Sequence, residues 1–363
     1  MPAPALRRLV TVGAAALAAV GLAAGCSRAA ETPASSTPAQ NTTPAAELRL
    51  GYFPNITHAP ALIGVAQNFY AEELGSDTTL TTQTFNAGPD EVNALLGGSL
   101  DAGFIGTSPA INAFAKSNGE AIRLISGSTQ AGAQLVTSPD ITSPEQLKGK
   151  IIATPQLGNT QDVALKKWLG EQNLQIGEGP DKVTVQNIDN PRTLDLFKQG
   201  QVAGGWLPEP WSSRLVDAGA KVLVDEKSLW PDGKFPTTVL IVRTQFLQEH
   251  PQTVEALVKG LQRSIDFATS NPDQAKTITN DSIRAITNSA LAPAVLDRAF
   301  TELSFDSDPL ASTFPQLAED SVTAGVTPTE TDVHGLFELT ALNTVRQADG
   351  KPAVNAAGLD KQG

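Results

Sequence analysis

Short apolar runs alternate with amphipathic segments along the first two thirds of the chain. The runs at residues 48–52 and 102–106 predict buried strands, and the segments that follow them at 60–72 and 109–116 predict helices. Further strands are predicted at residues 79–86, 122–126, 134–137, 150–154, 182–188, 202–206, 221–224 and 239–242. Such alternation is typical of mostly parallel sheets with helices on both faces, so the pattern predicts an α/β fold.

The last third of the chain has a helical pattern. After Pro251, the apolar residues Val254, Leu257, Val258 and Leu261 recur at the spacing of one helix face. More helices are predicted at residues 273–288, 291–302, 314–324 and 331–347. The chain has 363 residues, whereas single cores stop growing near ~250–300 residues, so we expect two lobes.

The N-terminus has the pattern of an export signal. Residues 1–25 contain two bases and no acid, and an apolar, Ala-rich run ends just before Cys26. Small residues before a Cys resemble a bacterial lipoprotein signal, in which that Cys carries the lipid anchor. The alternative is an ordinary signal peptide with an incidental Cys26. Residues 26–46 are rich in Ala, Ser, Thr and Pro and predict a flexible tether.

Charge and composition exclude several classes of protein. The 38 acids and 26 bases give a net charge of −12, which argues against nucleic-acid partners and against a polybasic membrane patch. One Cys and three His leave little material for a metal site, and the chain shows no nucleotide-binding or hydrolase motif. We therefore expect no catalytic residue, no metal, no cofactor and no enzymatic activity.

Polar residues follow several predicted strands at the point where a helix begins. Thr107 and Ser108 follow one strand, and Asn159 and Thr160 follow another in the second half of the pattern. Ligands of open α/β sheets bind at such strand ends, where helix N-termini favour anions. The two turns together predict a neutral cradle, rich in hydrogen-bond donors, for a small anion. The alternative is that all four residues are ordinary helix caps.

Two further segments contain candidate ligand-binding residues. The first turn includes Phe53 and His58, although His58 could instead be a buried structural histidine. The segment 206–211 contains Trp206 and Trp211 on either side of Glu209, which is held between two prolines. Because proline fixes φ, this segment would be rigid enough to form one wall of a cleft. The alternative is that the tryptophans are core residues and Glu209 is solvated.

Four segments, taken in order, carry a family resemblance: LRLGYFPNITHAPALIG, FNAGPDEVNALLGGSLDAGFIGTSPAINAF, IIATPQLGNTQDVALKKWL and GGWLPEPWSSRLVDAGAKVLVDE. They resemble the substrate-binding lipoproteins of bacterial ABC importers in the nitrate, sulfonate and taurine group, and most of all the aliphatic-sulfonate-binding proteins. The resemblance runs from about residue 47 to about residue 325.

The resemblance implies a two-lobed periplasmic-binding fold of type II with the ligand cleft between the lobes. Lobe 1 would comprise residues 47–137 and 238–363, and lobe 2 residues 138–237, with hinges near Thr137–Ser138 and Pro236–Thr238. By position, the pocket would comprise Phe53, His58, Thr107, Ser108, Asn159, Thr160, Trp206, Glu209 and Thr238.

The implied function is an extracytoplasmic receptor that delivers its ligand to an ABC permease and its ATPase. The implied ligand is a small organic anion, with an aliphatic sulfonate as the first candidate. Nitrate, bicarbonate, taurine and a thiamine-pyrimidine precursor are the alternatives. We expect a monomer anchored to the membrane through Cys26. An exported sensor domain is the other binding role left open. Enzymes of thiamine-pyrimidine synthesis with a related fold carry a cysteine-rich motif, whereas the single cysteine here is Cys26.

Overall fold

The computed structural model describes residues 43–360, which contain eleven strands and thirteen α-helices. The strands are β1 Glu47–Tyr52, β2 Thr79–Thr84, β3 Ala102–Ile105, β4 Ile122–Ala131, β5 Ala133–Thr137, β6 Ile151–Thr154, β7 Thr184–Asn187, β8 Gly204–Pro208, β9 Lys221–Asp225, β10 Pro236–Arg243 and β11 Leu303–Phe305. The helices are α1 Ala59–Ala66, α2 Phe69–Leu74, α3 Gly88–Leu96, α4 Thr107–Lys116, α5 Thr160–Glu171, α6 Asn190–Lys198, α7 Trp211–Asp217, α8 Thr244–Glu249, α9 Pro251–Ser270, α10 Pro272–Thr287, α11 Pro293–Thr301, α12 Phe314–Thr323 and α13 Thr340–Ala348. The predicted signal segment lies outside the described residues, as do most of the predicted tether and the last three residues.

The strands form two separate sheets. The first has the order β11-β4-β10-β3-β1-β2, and the second has the order β7-β6-β8-β5-β9. Strand β1 runs parallel to β2 and β3, and β6 runs parallel to β7 and β8. Strands β10 and β5 run antiparallel to their neighbours. The sheets are therefore mixed rather than mostly parallel, because the strands that follow the chain crossings enter in the reverse direction.

The chain crosses between the sheets earlier than the sequence suggested. We expected the crossing at Thr137–Ser138, but β5 pairs with β8 and β9 and so belongs to the second sheet. The turn is at Ala131 and Gly132, whose φ values are 61° and 81°. The apolar sequence of β5 would suit a buried strand of either sheet, so it does not locate the crossing. The turn with positive φ values does.

The return crossing lies beside the first one. The Ala131 N–H donates to the Phe235 carbonyl at 3.0 Å, and β10 then joins the first sheet from Pro236 onward. We use "lobe 1" for described residues 43–131 and 236–360, and "lobe 2" for residues 132–235. Two adjacent crossings of this kind place the ends of both sheets against one cleft.

Each sheet is covered by an apolar core. In lobe 1, α9 buries Val254, Leu257 and Leu261, which confirms the predicted helix face. The predicted helix at 331–347 begins only at Thr340. Gly335, with φ at 83°, lies in the segment before it, and Phe337 bridges to Leu124 of β4 instead. No helix in the described part of the chain is long and apolar enough to span a bilayer.

Helix α3 packs on the first sheet through a buried carboxyl group. Glu91 is fully buried, and neither of its carboxyl oxygens has a hydrogen-bond partner among the described residues. It fits because Gly51 and Gly103 have no side chains; a Cβ at either would lie 2.3 Å from Glu91 Oε1. Burial raises the pKa of Glu91 well above its usual value, so the neutral acid is the form that this site tolerates.

Glu91→Gln should reduce the pH dependence of stability. A folded-state pKa above the unfolded value stabilises the fold fully below the unfolded pKa, and that contribution is lost as the pH rises toward the folded pKa. The natural protein should therefore lose unfolding free energy between about pH 5 and pH 8, by roughly 1.4 kcal/mol for each pH unit below the folded pKa, and the variant should lose less. Urea unfolding at the two pH values measures this, and equal losses in both proteins would contradict it.

Candidate functional site

A small cavity lies between the two lobes, at the strand ends of both sheets. Its volume is about 20 Å³, counted as space open to the centre of a water-sized sphere. Since one water needs roughly 10–15 Å³ by this measure, only a compact group fits. The lining residues are Phe53, Asn55, Thr57, His58, Asn86, Gly106, Asn159, Thr160, Gln161, Asn190, Pro208, Thr237 and Thr238.

Two helix N-termini meet at the cavity. Gly106 directly precedes α4, and Asn159 directly precedes α5, which starts at Thr160. Asn159 makes no side-chain cap hydrogen bond to α5, and Gly106 has no side chain with which to cap α4, so neither helix is capped by the residue that precedes it. The positive ends of both helix dipoles therefore face a shared space, which favours a negatively charged group there.

The side chains at the start of α5 reach across the cleft. Asn159 Oδ1 accepts from the Gly88 N–H at 3.2 Å, and Thr160 Oγ1 accepts from the Ser108 N–H at 3.4 Å. Both acceptors are in lobe 2 and both donors are in lobe 1. Each bond also closes a helix start, because Gly88 begins α3 and Ser108 is the second residue of α4. The two lobes are thus joined at the edge of the cavity.

Two further contacts join the lobes beside the cavity. Trp211 Nε1 donates to Asn55 Oδ1 at 2.9 Å, and the Thr57 N–H makes a longer contact, 3.5 Å, with the Glu209 carbonyl. The described arrangement is therefore a closed cleft. Opening it would break these contacts together with those of Asn159 and Thr160.

His58 lies at the cavity as a neutral imidazole. Burial lowers its pKa to about 3. Its Nδ1 accepts from the Phe53 N–H at 3.3 Å, and its ring stacks on Phe53 with centroids 4.3 Å apart. Since a neutral imidazole has one donor and one acceptor nitrogen, Nε2 carries the proton. His58 thus offers a neutral hydrogen-bond donor.

The other lining residues are uncharged as well. Their polar groups are the amides of Asn55, Asn86, Asn159, Gln161 and Asn190 and the hydroxyls of Thr57, Thr160, Thr237 and Thr238. These groups can donate to several oxygens of one ligand, but they form no nucleophile–base pair. Within residues 43–360 there is no group of three or more His, Cys, Asp and Glu that could hold a metal ion.

Five of the nine residues predicted for the pocket line the cavity: Phe53, His58, Asn159, Thr160 and Thr238. Thr107 and Ser108 lie beside it at the start of α4 and do not line it. Their hydroxyl oxygens are buried and have no hydrogen-bond partner among the described residues. They therefore adjoin the site without direct access to the cavity.

Trp206 is not part of the cavity, contrary to our expectation. It is fully buried in the lobe 2 core, where its ring packs edge-on against Trp168 with centroids 6.1 Å apart. Its Nε1 donates to Glu226 Oε2 at 2.7 Å. Trp206 lies in the middle of β8, whereas Pro208 is the last residue of the strand and lies at the end that meets the cavity.

Glu209 also differs from expectation, because its carboxylate is buried beside the cavity rather than lining it. It accepts from Arg298 Nη1 at 3.1 Å and from the Ser213 N–H at 3.2 Å. Burial raises the pKa of Glu209, and the bonds from Ser212, Ser213 and Arg298 oppose that shift. Arg298 belongs to α11 of lobe 1, so this ion pair ties the two lobes together instead of contacting a ligand.

Several lining residues were missed by the sequence reasoning. Asn86 follows β2 and Asn190 follows β7, so the strand-end rule could have identified both. Asn55 and Thr57 belong to the first turn, in which only Phe53 and His58 were selected. No comparable sequence feature identifies the remaining lining residues, because their place at the cavity depends on how the two lobes meet. These residues are Gly106, Gln161, Pro208 and Thr237.

The chain belongs to the NMT1-like family, whose model matches residues 41–280. A relative is the taurine-binding periplasmic protein of Escherichia coli (strain K12), 29% identical over 217 residues. That match covers 59% of this chain and 64% of the relative's length. The chain thus spans less than two thirds of that protein.

Two solved structures share the fold. The alkanesulfonate-binding protein SsuA from Xanthomonas axonopodis pv. citri, bound to MOPS, is 19% identical with a TM-score of 0.65, over 79% of this chain and 96% of that one. The periplasmic nitrate-binding protein NrtA from Synechocystis PCC 6803 is 16% identical with a TM-score of 0.71, over 86% of this chain and 93% of that one. The predicted two-lobed periplasmic-binding fold is confirmed, as is the resemblance to the nitrate, sulfonate and taurine group.

Trp206→Phe should lower stability, because it leaves Glu226 buried without its indole donor. We expect a loss of about 1–3 kcal/mol in the free energy of unfolding. Trp211→Phe is the matched control, since its indole is only half-buried, and it should cost about 1 kcal/mol or less. Denaturant unfolding measures both changes. Equal losses in the two variants would show that Trp206 is no more a core residue than Trp211.

Proposed function

We propose that this protein is the extracytoplasmic solute receptor of an ABC importer and that it binds a small organic anion, an aliphatic sulfonate, in the interlobe cavity. The observation that carries the proposal is the cavity itself. It is small, neutral and rich in hydrogen-bond donors, and it lies where α4 and α5 begin. The similarity to a taurine-binding protein and to an alkanesulfonate-binding structure supports this ligand class.

A neutral donor set suits a sulfonate. The sulfonate stays ionised at any physiological pH and spreads its charge over three oxygens, each of which accepts hydrogen bonds. Amides, hydroxyls and the His58 Nε2–H can surround such a group without a counter-ion. Hydrogen bonds to a charged acceptor contribute roughly 1.5–3 kcal/mol each, so a few of them suffice for tight binding.

Binding would be coupled to lobe closure. The contacts of Asn159 and Thr160 join the lobes at the cavity edge, and a ligand between them would add bonds to both sides of the cleft. A ligand stabilises the closed form by its difference in affinity for the closed and open forms. The closed receptor would then dock on a membrane permease, which an ATPase powers. The crossings at Ala131–Gly132 and Phe235–Pro236 are the proposed hinges.

The small volume favours one other ligand class. A cavity of about 20 Å³ suits a compact oxyanion, and this supports nitrate or bicarbonate as the second candidate. No feature of the described residues specifically favours a thiamine-pyrimidine precursor or a sensor role.

Calorimetric titration of the ligand-stripped protein tests the proposal. We expect micromolar or tighter binding of propanesulfonate or taurine, and weaker binding of nitrate, bicarbonate and a hydroxymethylpyrimidine. Asn159→Ala should weaken sulfonate binding about tenfold or more, because it removes one donor to a charged group and the acceptor of the Gly88 N–H. Asn93→Ala, on the exposed face of α3, is the control and should bind normally.

Two results would contradict this assignment. Binding of nitrate or bicarbonate alone would move the assignment to the second candidate. Unchanged sulfonate affinity in Asn159→Ala would place the ligand elsewhere on the molecule.

We also propose that the protein acts as a monomer on the outer face of the membrane, held by a lipid on Cys26. The support is the sequence before and after that residue. Cys26→Ala should move the protein from the membrane fraction to the soluble exported fraction, as measured by fractionation and immunoblotting. A variant that stays in the membrane fraction would refute the lipid anchor.

A further inference from the structure

A second cavity adjoins the first at the mouth of the cleft. Its volume is about 280 Å³ by the same measure, much larger than that of the inner cavity. Asn55, Asn86 and Asn190 line both cavities. We call the second one the outer compartment. Because three residues are shared, a ligand held in the inner cavity could extend into it.

The walls of the outer compartment are mainly apolar. Phe85 and Pro54 contribute from lobe 1, Trp211 from lobe 2, and Ile283 and Leu291 from the helical region of lobe 1. Such walls bury hydrocarbon rather than a hydrated ion. The inner cavity, which is polar and compact, and the outer compartment thus suit different parts of one molecule.

Arg214 is the one charged residue lining the outer compartment in the described structure. It lies three residues after Trp211 on α7, so both side chains project from the same helix face. Its guanidinium stacks over the Trp211 ring at 4.6 Å from the centroid. No carboxylate and no other hydrogen-bond acceptor among the described residues contacts that guanidinium.

This environment is unusual for a cation. Arg214 is only partly exposed, and burial lowers its pKa, although a guanidinium remains protonated. Arg298, which lies beside the inner cavity, is by contrast paired with Glu209. The contact with the Trp211 ring involves no hydrogen-bond acceptor, so the guanidinium N–H groups remain available for bidentate contact with an acid. A half-buried cation without an acidic partner gains more from an anion than a fully hydrated cation does.

We propose that the outer compartment binds a second acidic group of an elongated ligand, with Arg214 as its partner. The ligand class is a sulfonate that carries a carboxylate across a short apolar linker. The sulfonate would occupy the inner cavity, the linker would pass the shared asparagines, and the carboxylate would meet the edge of Arg214. This inference rests on the proposed sulfonate-receptor function and specifies its substrate class.

A matched ligand pair tests the proposal by calorimetry. Propanesulfonate and 3-sulfopropanoate have the same chain length and differ in the terminal group, a methyl or a carboxylate. The natural protein should bind 3-sulfopropanoate at least about tenfold more tightly, the usual gain from one charge-assisted pair. The preference should shrink as the salt concentration rises.

Variants then assign the preference to Arg214. Arg214→Gln should abolish most of it and change propanesulfonate affinity less than about threefold, whereas Arg214→Lys should retain part of it. Arg284→Gln is the charge control, because Arg284 lies exposed on α10, is paired with Asp281 at 3.0 Å and does not line the compartment. It should keep the full preference. Normal propanesulfonate binding also shows that a variant is folded.

The outcomes separate this inference from the proposed function. If propanesulfonate binds but 3-sulfopropanoate gains nothing, the second acid site is refuted and the sulfonate receptor stands. If Arg214→Gln still prefers 3-sulfopropanoate to propanesulfonate as strongly as the natural protein does, the second acid site at Arg214 is likewise refuted. The ligand comparison in the natural protein decides this even if a variant fails to fold. If neither sulfonate binds, the proposed function fails, and this inference fails with it.

Discussion

The site depends on hydrogen bonds across the cleft in which backbone N–H groups of one lobe donate to side-chain oxygens of the other. Asn159 and Thr160, at the start of α5, accept from the Gly88 and Ser108 amides of the facing lobe. These bonds satisfy donors that helix starts leave without intrahelical partners. They also fix the distance between the two sheets' strand ends, and so set the size of the cavity between them.

The charges near the cleft are arranged around this neutral centre. The Glu209–Arg298 pair lies beside the cavity and joins α11 to lobe 2, while Arg214 lies in the outer compartment. No Lys, Arg, Asp or Glu lines the inner cavity. An anion there would be held by amides, hydroxyls and helix ends, which discriminate by geometry more than by charge. Release would then break no ion pair between protein and ligand, whereas the Glu209–Arg298 pair joins the lobes without involving the ligand.

The sequence was sufficient for the fold and for the positions that follow a local rule. Apolar periodicity identified α9, and the strand-end rule identified Asn159 and Thr160 because such turns are visible in the order of residues. The sequence did not predict the positions of Trp206 and Glu209, since either residue could face the cleft or the core until the register of β8 was known. The crossing at Ala131–Gly132 was missed for a similar reason: β5 is apolar in either sheet, and pairing between distant strands decides its place.

The most direct test of the central claim is a crystal structure of the protein with propanesulfonate. The account predicts a closed cleft with the sulfonate oxygens within hydrogen-bond distance of Asn159, Thr160 or His58 and with no charged side chain in contact. A sulfonate bound to Arg214, or to any surface outside the cleft, would contradict a neutral interlobe site.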